Sequence, residues 1–401
     1  MLAQSSFLAA SNNWSHWVDK DLICVPPLNA ISHDAKLISE NEKGQKTSYQ
    51  FKKSETTYSS LEDFVCYRSD SEIDPYSLVE KKLVFELGNF QSSLQDHLIL
   101  DKYFFHNGLL GLDKDKLLLR LWAPRALNVE LLIYKEDRTL LKTIKGASSI
   151  GVWQFQISDQ NIRSKHLYRF RIHQYYPEID RFEKVLVTDP YSKSTAYHSS
   201  FSRFVDIDSV GPKVLVSKNT KDLAIRADHL IYETHIRDFS IADNSIDRKH
   251  RGKLSALYQE DSLGLNHLKE LKEAGLNTIQ FLPVNDFATV NEDKNQQINL
   301  QDKFSKYCLI FENSLCESEA KTKLEDLIAK LPLEAKNRQA ILTNLQQLDG
   351  FNWGYDPVHY QALENTYSSS DNGIDTIVEF KRAINQIKSM GLRVSLDVVF
   401  N

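Results

Sequence analysis

The sequence predicts a multidomain chain: a β-rich N-terminal domain, a β-sandwich, and an incomplete (β/α)8 TIM barrel showing its first three strands only. Two observations carry this. Between residues 86 and 205, short runs alternate apolar with polar residues and are separated by turn signals, the pattern of half-buried strands in a sandwich. After about residue 222 the order becomes strand, helix, strand, polar insertion, helix, strand, which is the order of βαβ units in a parallel sheet.

Composition sets the limits. The chain has 401 residues, 41% hydrophobic and 26% charged. At roughly 100–200 residues per domain this gives two to four domains, and the apolar fraction excludes a wholly disordered chain. The net charge is −5, from 49 basic and 54 acidic residues. That balance carries no electrostatic footprint for nucleic acid or an anionic membrane, and neither is an expected partner. No apolar run approaches the roughly 20 residues of a membrane-spanning helix. Met1-Leu2-Ala3-Gln4-Ser5-Ser6 lacks the basic and apolar regions of a signal peptide, so the chain as written is expected in the cytoplasm. Four cysteines exclude a disulfide-framework protein. Cys24 and Cys66 stand far apart, whereas Cys308 and Cys316 are close enough to bridge in an oxidising compartment. No CxxC occurs, which argues against a structural zinc site.

Taken in order, residues 1–85 form the small β-rich domain. His16-Trp17-Val18 and Leu22-Ile23-Cys24-Val25 read as short strands, and the polar stretches Ser39–Ser48 and Ser69–Asp74 read as loops. Residues 86–205 form the sandwich. Its strands are Leu117–Trp122, Val129–Tyr134, Gly151–Ile157 and Tyr168–Ile172, with Ala123-Pro124-Arg125-Ala126 breaking the first from the second. Residues 206–227 are the linker. In 228–401, Leu230–Ile236, Thr278–Leu282 and Val394–Phe400 are the three strands. A helix runs from about Asn266 to Ala274, closed by Gly275. A second helix, capped by Asp375 and ended by Gly391, carries Ile377, Phe380, Ile384 and Ile387 on one face. Three strands cannot close a barrel that takes eight strands and about 250 residues, so those four side chains are expected to be only partly covered.

Four segments carry candidate chemistry. Phe351-Asn352-Trp353-Gly354-Tyr355-Asp356-Pro357 is a tight turn crowded with rings and a carboxylate. It is either a surface turn with packing aromatics or a sugar site, in which a ring packs on a pyranose and a carboxylate takes its hydroxyls. Asp397-Val398-Val399-Phe400-Asn401 puts a carboxylate and an amide at the C-terminal end of a parallel strand, where barrel active sites assemble, or else supplies a capping Asp. Tyr232–Phe239 ends the first barrel strand, and its Arg237 and Asp238 are either functional or a structural ion pair. Trp122 and Trp153 could stack glycans or fill the core.

Together these segments resemble the pullulanase-type α-1,6-debranching enzymes of the α-amylase glycoside hydrolase superfamily, as an N-terminal fragment. The resemblance rests on Tyr232–Ser240, Leu282–Glu292, Phe351–Pro357 and Leu396–Asn401. Leu121-Trp122-Ala123-Pro124 and Val187-Thr188-Asp189-Pro190-Tyr191-Ser192 resemble the starch-binding-type module that precedes such barrels, and His16-Trp17-Val18-Asp19 resembles the start of the family's N-terminal domain. The Asn-Trp-Gly-Tyr-Asp-Pro run is specific to pullulanase-like members; Asp-Val-Val-x-Asn is general to the superfamily.

The resemblance implies retaining hydrolysis of α-1,6-glucosidic branches in pullulan, limit dextrin or glycogen by the full-length parent. Two carboxyls about 5 Å apart perform it, one as nucleophile and one as acid/base. Neither has a counterpart in this chain, because the family supplies both from later strands beyond Asn401. The residues implied to bind substrate are Trp353, Tyr355, Asp356, Asp397 and Asn401, with Tyr355 as the platform under the sugar at the cleavage subsite. No cofactor is required, and calcium is possible. Ser368-Ser369-Ser370-Asp371-Asn372 departs from the Ser/Thr-Asp-Pro stretch that the family often has there. Two alternatives are a non-catalytic α-glucan-binding protein and a different α-glucan-active enzyme such as a branching enzyme; the Asn352–Pro357 run argues against the second.

Overall fold

The computed structural model describes residues 14–27, 34–104, 108–113, 115–157, 166–196, 198–215, 229–288, 290, 297–345, 348, 350, 352–370 and 372–400. The chain divides into two compact units, one of 1–133, 140–158 and 169–187, the other of 134–139, 159–168 and 188–401.

The first unit begins with a closed barrel. Its strands are β1 (Ser15–Asp19), β2 (Leu22–Val25), β3 (Asp34–Glu40), β4 (Lys46–Lys53), β5 (Val65–Ser69), β6 (Lys82–Leu87) and β7 (Phe90–Gln95). They follow the order β1-β2-β5-β4-β3-β6-β7, and β1 closes the circle by pairing parallel to β7, Ser15 opposite Leu94. Strict alternation on β6, inward at Leu83, Phe85 and Leu87, points one face at a core of Trp17, Ile23, Leu37, Phe51 and Tyr67. Helix α1 (His97–Tyr103) adds Ile99 and Leu100 to that core.

Three expectations change here. The polar run Ser39–Ser48 is not one loop: β3 and β4 enter it from both sides and leave a five-residue turn, 41–45. It misleads because β4 buries only Phe51, so its sequence carries almost no apolar signal. The domain boundary at residue 85 falls within β6, which goes on to pair with β7 through Leu87 and Phe90. Cys24 and Cys66, distant in sequence, are register partners on β2 and β5 and form a disulfide.

The sandwich strands follow. One sheet has β8 (Gly111–Asp113), β9 (Leu118–Trp122), β12 (Ala147–Ser149) and β13 (Val152–Gln156), in the order β12-β13-β9-β8. In the same unit, β10 (Asn128–Tyr134) lies between β11 (Leu140–Lys145) and β14 (Leu167–Tyr176), and β15 (Arg181–Val187) pairs antiparallel with β14. Leu119, Leu121 and Phe155 of one sheet and Val129, Leu131 and Phe170 of the other are buried, and the Phe155 and Phe170 rings are 5.4 Å apart. Trp153 is buried and donates its indole N–H to Ala123 O at 3.0 Å; half-buried Trp122 donates to Phe104 O at 2.9 Å. Both rings therefore serve packing.

In the second unit, β16 (Thr195–Ala196) and β17 (Phe201–Arg203) form a hairpin on the Leu167–Tyr168 end of β14. A parallel sheet follows: β18 (Ile231–Thr234), β19 (Thr278–Phe281) and, at its far side, β22 (Arg393–Leu396), in the order β18-β19-β22. Helix α2 (Leu263–Glu273) connects β18 to β19, its N-terminus capped by Ser262. The short strands β20 (Asn285–Phe287) and β21 (Pro357–Leu363) pair with each other. Between them lie α3 (Phe304–Cys308), α4 (Cys316–Glu319), α5 (Leu324–Lys330) and α6 (Lys336–Leu345). These helices have their own core of Phe304, Tyr307, Leu324, Leu327 and Ile341, and the Cys308–Cys316 disulfide joins α3 to α4.

Helix α7 (Gly373–Ser389) leads to β22. Asn372 caps it, accepting the N–H of Ile374 at 3.1 Å; Asp375 sits inside the first turn instead of at the cap. Ile377, Ile384 and Ile387 are buried, against the expectation of partial cover. The Ile384 and Ile387 side chains share a cluster with Leu254, Leu257, Leu265, Leu268 and Ile279, so α2 and the turn before it supply the missing neighbours; Phe380 is partly buried. The predicted strand Val394–Phe400 is shorter, ending at Leu396, with Val398 and Phe400 exposed. Of the stretch placed as a linker, 206–215 is laid along α7. Lys381 Nζ donates to Val210 O at 2.6 Å, and Asn385 Nδ2 to Lys213 O at 2.9 Å. Residues 216–227 lie outside the described residues.

Candidate functional site

The C-terminal ends of β18, β19 and β22 carry the polar groups, as parallel strands do where their loops gather. Asp397 follows β22 directly, its backbone N–H donating to Phe281 O at 2.8 Å. That bond aligns Asp397 with the end of β19. Tyr355 meets it there, donating its hydroxyl to Asp397 Oδ2 at 2.6 Å. The carboxylate stabilises the phenol as a donor and, with Glu233 adding negative charge, pushes the Tyr355 pKa up to about 12. The hydroxyl is thus held protonated on the carboxylate while 38% of the residue stays exposed.

The turn carrying Tyr355 is braced from inside. Asn352 Oδ1 accepts the N–H of Gly354 at 2.7 Å, while its Nδ2 donates to Asp356 Oδ1 at 2.9 Å and to Ala288 O at 3.2 Å. Gly354 has φ +87°, and a Cβ there would stand 2.8 Å from Pro283 O, so only glycine fits. Asp356, a predicted sugar ligand, accepts the Asn352 bond within the turn. Trp353 projects from it, 61% exposed. Tyr360 stacks on Phe400 with ring centroids 5.5 Å apart, both exposed. The structure thus brings Trp353, Tyr355, Asp356 and Asp397 to one region; Asn401 lies outside the described residues.

A buried histidine underlies this turn. The backbone N–H of Arg237 donates to His235 Nδ1 at 3.1 Å, which leaves the ring proton on Nε2. Nε2 lies 2.9 Å from Asn352 O and 2.9 Å from the Tyr367 hydroxyl. Burial lowers the His235 pKa, which favours this neutral form. Arg237 and Asp238 are the charged residues that the sequence offers in this segment. They do form an exposed ion pair at 3.0 Å, worth at most about 1 kcal/mol. His235 was the more informative residue, and its signal was a lone imidazole at a strand end. Beyond β21, Ser369 donates its N–H and hydroxyl to Glu379, which ties the departing Ser368–Ser370 stretch to α7. Among the described residues, no group of three or more His, Cys, Asp or Glu side chains is placed to hold a metal ion.

The carbohydrate-binding module 48 family (isoamylase N-terminal domain) matches residues 109–192, the sandwich. A pullulanase of Klebsiella aerogenes is 33% identical over 302 residues, which cover 70% of this chain and 27% of that protein. The chain is pullulanase-like. The chloroplastic pullulanase 1 of Arabidopsis thaliana is 27% identical over 383 residues, 92% of this chain and 37% of its own length. Among solved structures, the maltotriose complex of the Klebsiella pneumoniae pullulanase PulA is 26% identical, with a TM-score of 0.79 over 99% of this chain and 47% of that one. The chain therefore spans less than half the length of these pullulanases.

Proposed function

We propose that this chain contributes the glucan platform of a retaining enzyme that hydrolyses α-1,6-glucosidic linkages in pullulan, limit dextrin or glycogen. On this reading β18, β19 and β22 are the first three strands of a (β/α)8 barrel. The observation that carries it is the Tyr355–Asp397 hydrogen bond, which fixes an exposed ring beside exposed Trp353 at the strand ends. A pyranose presents an apolar face to such rings and hydroxyls to a carboxylate at their rim. That the related PulA was solved with maltotriose supports the same ligand class here. The nucleophile and acid/base come from strands that follow β22 in such barrels, so residues 1–401 bind without cleaving.

Calorimetric titration of the 401-residue chain with maltotriose tests this. Binding is expected, with Tyr355→Ala weakening it about tenfold or more, the loss of one stacked ring plus its anchored hydroxyl. Equal affinity in both proteins overturns the platform. Reducing sugar released from pullulan above a no-protein blank overturns the assignment of catalysis to later strands.

A further inference from the structure

The glucan turn is joined to a second buried polar chain, away from Asp397. On β21, His359 is 2% exposed and its Nδ1 lies 2.5 Å from Oδ2 of Asp286 on β20, which is 0% exposed. His359 Nε2 lies 2.8 Å from Thr188 Oγ1. On the other carboxylate oxygen, Ser199 donates its hydroxyl to Asp286 Oδ1 at 2.5 Å. Four side chains from three separate parts of the sequence thus form one continuous line. A buried Asp and a buried His each cost free energy unless paired, and here both ring nitrogens and both carboxylate oxygens have partners.

The strand pair that this line crosses is poorly determined by its backbone. Asn285 stands opposite Leu363, Asp286 opposite His359, and Phe287 opposite Pro357. One step along β20 therefore corresponds to four residues and then to two along β21. Such irregular ladders re-aim side chains near functional sites, and their register needs another determinant. Asp286–His359 is the central pair of this register. His359 is four residues after Tyr355 and two after Pro357.

We propose that Asp286, His359 and Thr188 form a positioning latch: the buried line fixes the register of β21 against β20 and the 188–199 segment, and so sets where the Trp353–Tyr355 turn stands. None of the three touches the ligand; His359 acts through the strand it shares with the turn. The ligand-affinity part of the argument rests on the glucan reading above. The part concerning the turn's position does not.

The test uses the full chain labelled with 5-fluorotryptophan, whose five fluorine resonances report the five tryptophans. The Trp353 resonance is assigned by its absence in Trp353→Phe. Thr188→Val removes the hydroxyl facing His359 Nε2 and keeps the shape; Thr188→Ser keeps the hydroxyl. We expect Thr188→Val to shift or broaden the Trp353 resonance, leave those of Trp14, Trp17, Trp122 and Trp153 in place, and weaken maltotriose binding at least threefold. Thr188→Ser restores both. A lowered melting temperature in Thr188→Val with an unmoved Trp353 resonance overturns the latch and leaves a merely structural cluster. If the parent chain binds no maltotriose, the glucan reading fails, and the fluorine spectrum still decides the latch. Should Thr188→Val not fold, Ser199→Ala is read by the same resonance with the same two outcomes.

Discussion

The barrel β1–β7 and the parallel sheet β18-β19-β22 solve opposite problems with similar material. In the barrel every strand has a neighbour on each side, because β1 pairs with β7. Its large side chains, among them Trp17, Phe51, Tyr67 and Phe85, are almost wholly buried. In the sheet only β19 is flanked on both sides among the described residues; β22 is half-buried up to its exposed Leu396, and only Thr234 of β18 is buried. Leu396, Val398 and Phe400 face solvent. Closure gives the first region an edge-free core. In the second region the Tyr355 hydroxyl meets Asp397 at the strand ends, with the residue partly exposed. Its cohesion comes instead from helices, chiefly the face of α7 that carries Ile384 and Ile387 packed on α2 and β19.

The largest expected contrast is in amide exchange. The amides of Trp17, Tyr67 and Phe85 should exchange about a thousandfold more slowly than those of Val394 and Ser395 on β22, since the free energy of opening ranges from near zero at open edges to the global value in closed cores. Mass spectrometry of peptides from a single exchange series measures both. Equal protection would show that the open sheet is as cooperative as the barrel.

The second expected effect is confined to the barrel. The Cys24–Cys66 disulfide joins β2 to β5 across a sequence separation of 42. A cross-link closing a loop of that length stabilises by about 4 kcal/mol in the chain-entropy view. Replacing both cysteines with Ala should lower the barrel's stability by about that amount, measured as a shift of the denaturation midpoint reported by Trp17. The sheet should hold its midpoint. A matching loss in the sheet would join the two regions into one folding unit.

What the sequence disclosed follows the same division between strong and weak local signals. β13 and the start of β14 were readable because Trp153–Ile157 and Tyr168–Ile172 alternate apolar with polar residues, and β9 and β10 because each is a dense apolar run. The turn at Asn352–Pro357 was readable because glycine, proline and two aromatic rings stand together. β4 was not, since seven of its eight residues are polar or only half-buried. The Cys24–Cys66 pair was invisible because β2 and β5 are neighbours only after the barrel closes. His359 and Asp286 are 73 residues apart, and nothing local to either residue announces the partner. Likewise the cover over Ile384 and Ile387 comes from α2 and β19, a tertiary fact that counting strands could not supply.

The smallest expected effect separates the two regions by pH. The barrel strands bury serines, Ser15, Ser39 and Ser69, whereas the second unit buries carboxylates, Asp189 among them. Asp189 is fully enclosed, accepting the Tyr168 hydroxyl at 2.7 Å and the Tyr191 N–H at 2.9 Å. Burial outweighs those bonds and raises its pKa from 3.8 to about 6. A folded-state value above the unfolded one means that the native state binds the proton more tightly. Its stabilising contribution is therefore complete below pH 3.8 and is lost as pH rises through 6. Between pH 7 and pH 5 the second unit should gain on the order of 1 kcal/mol from this group. Asp189→Asn cannot titrate, and the Asn oxygen can still accept from Tyr168, so the variant should lack that increment while the barrel's midpoint is the same in both proteins. Urea titrations at the two pH values, read separately for Trp353 and Trp17, measure it. An increment of equal size in Asp189→Asn would assign the pH dependence to other groups and remove Asp189 from the comparison.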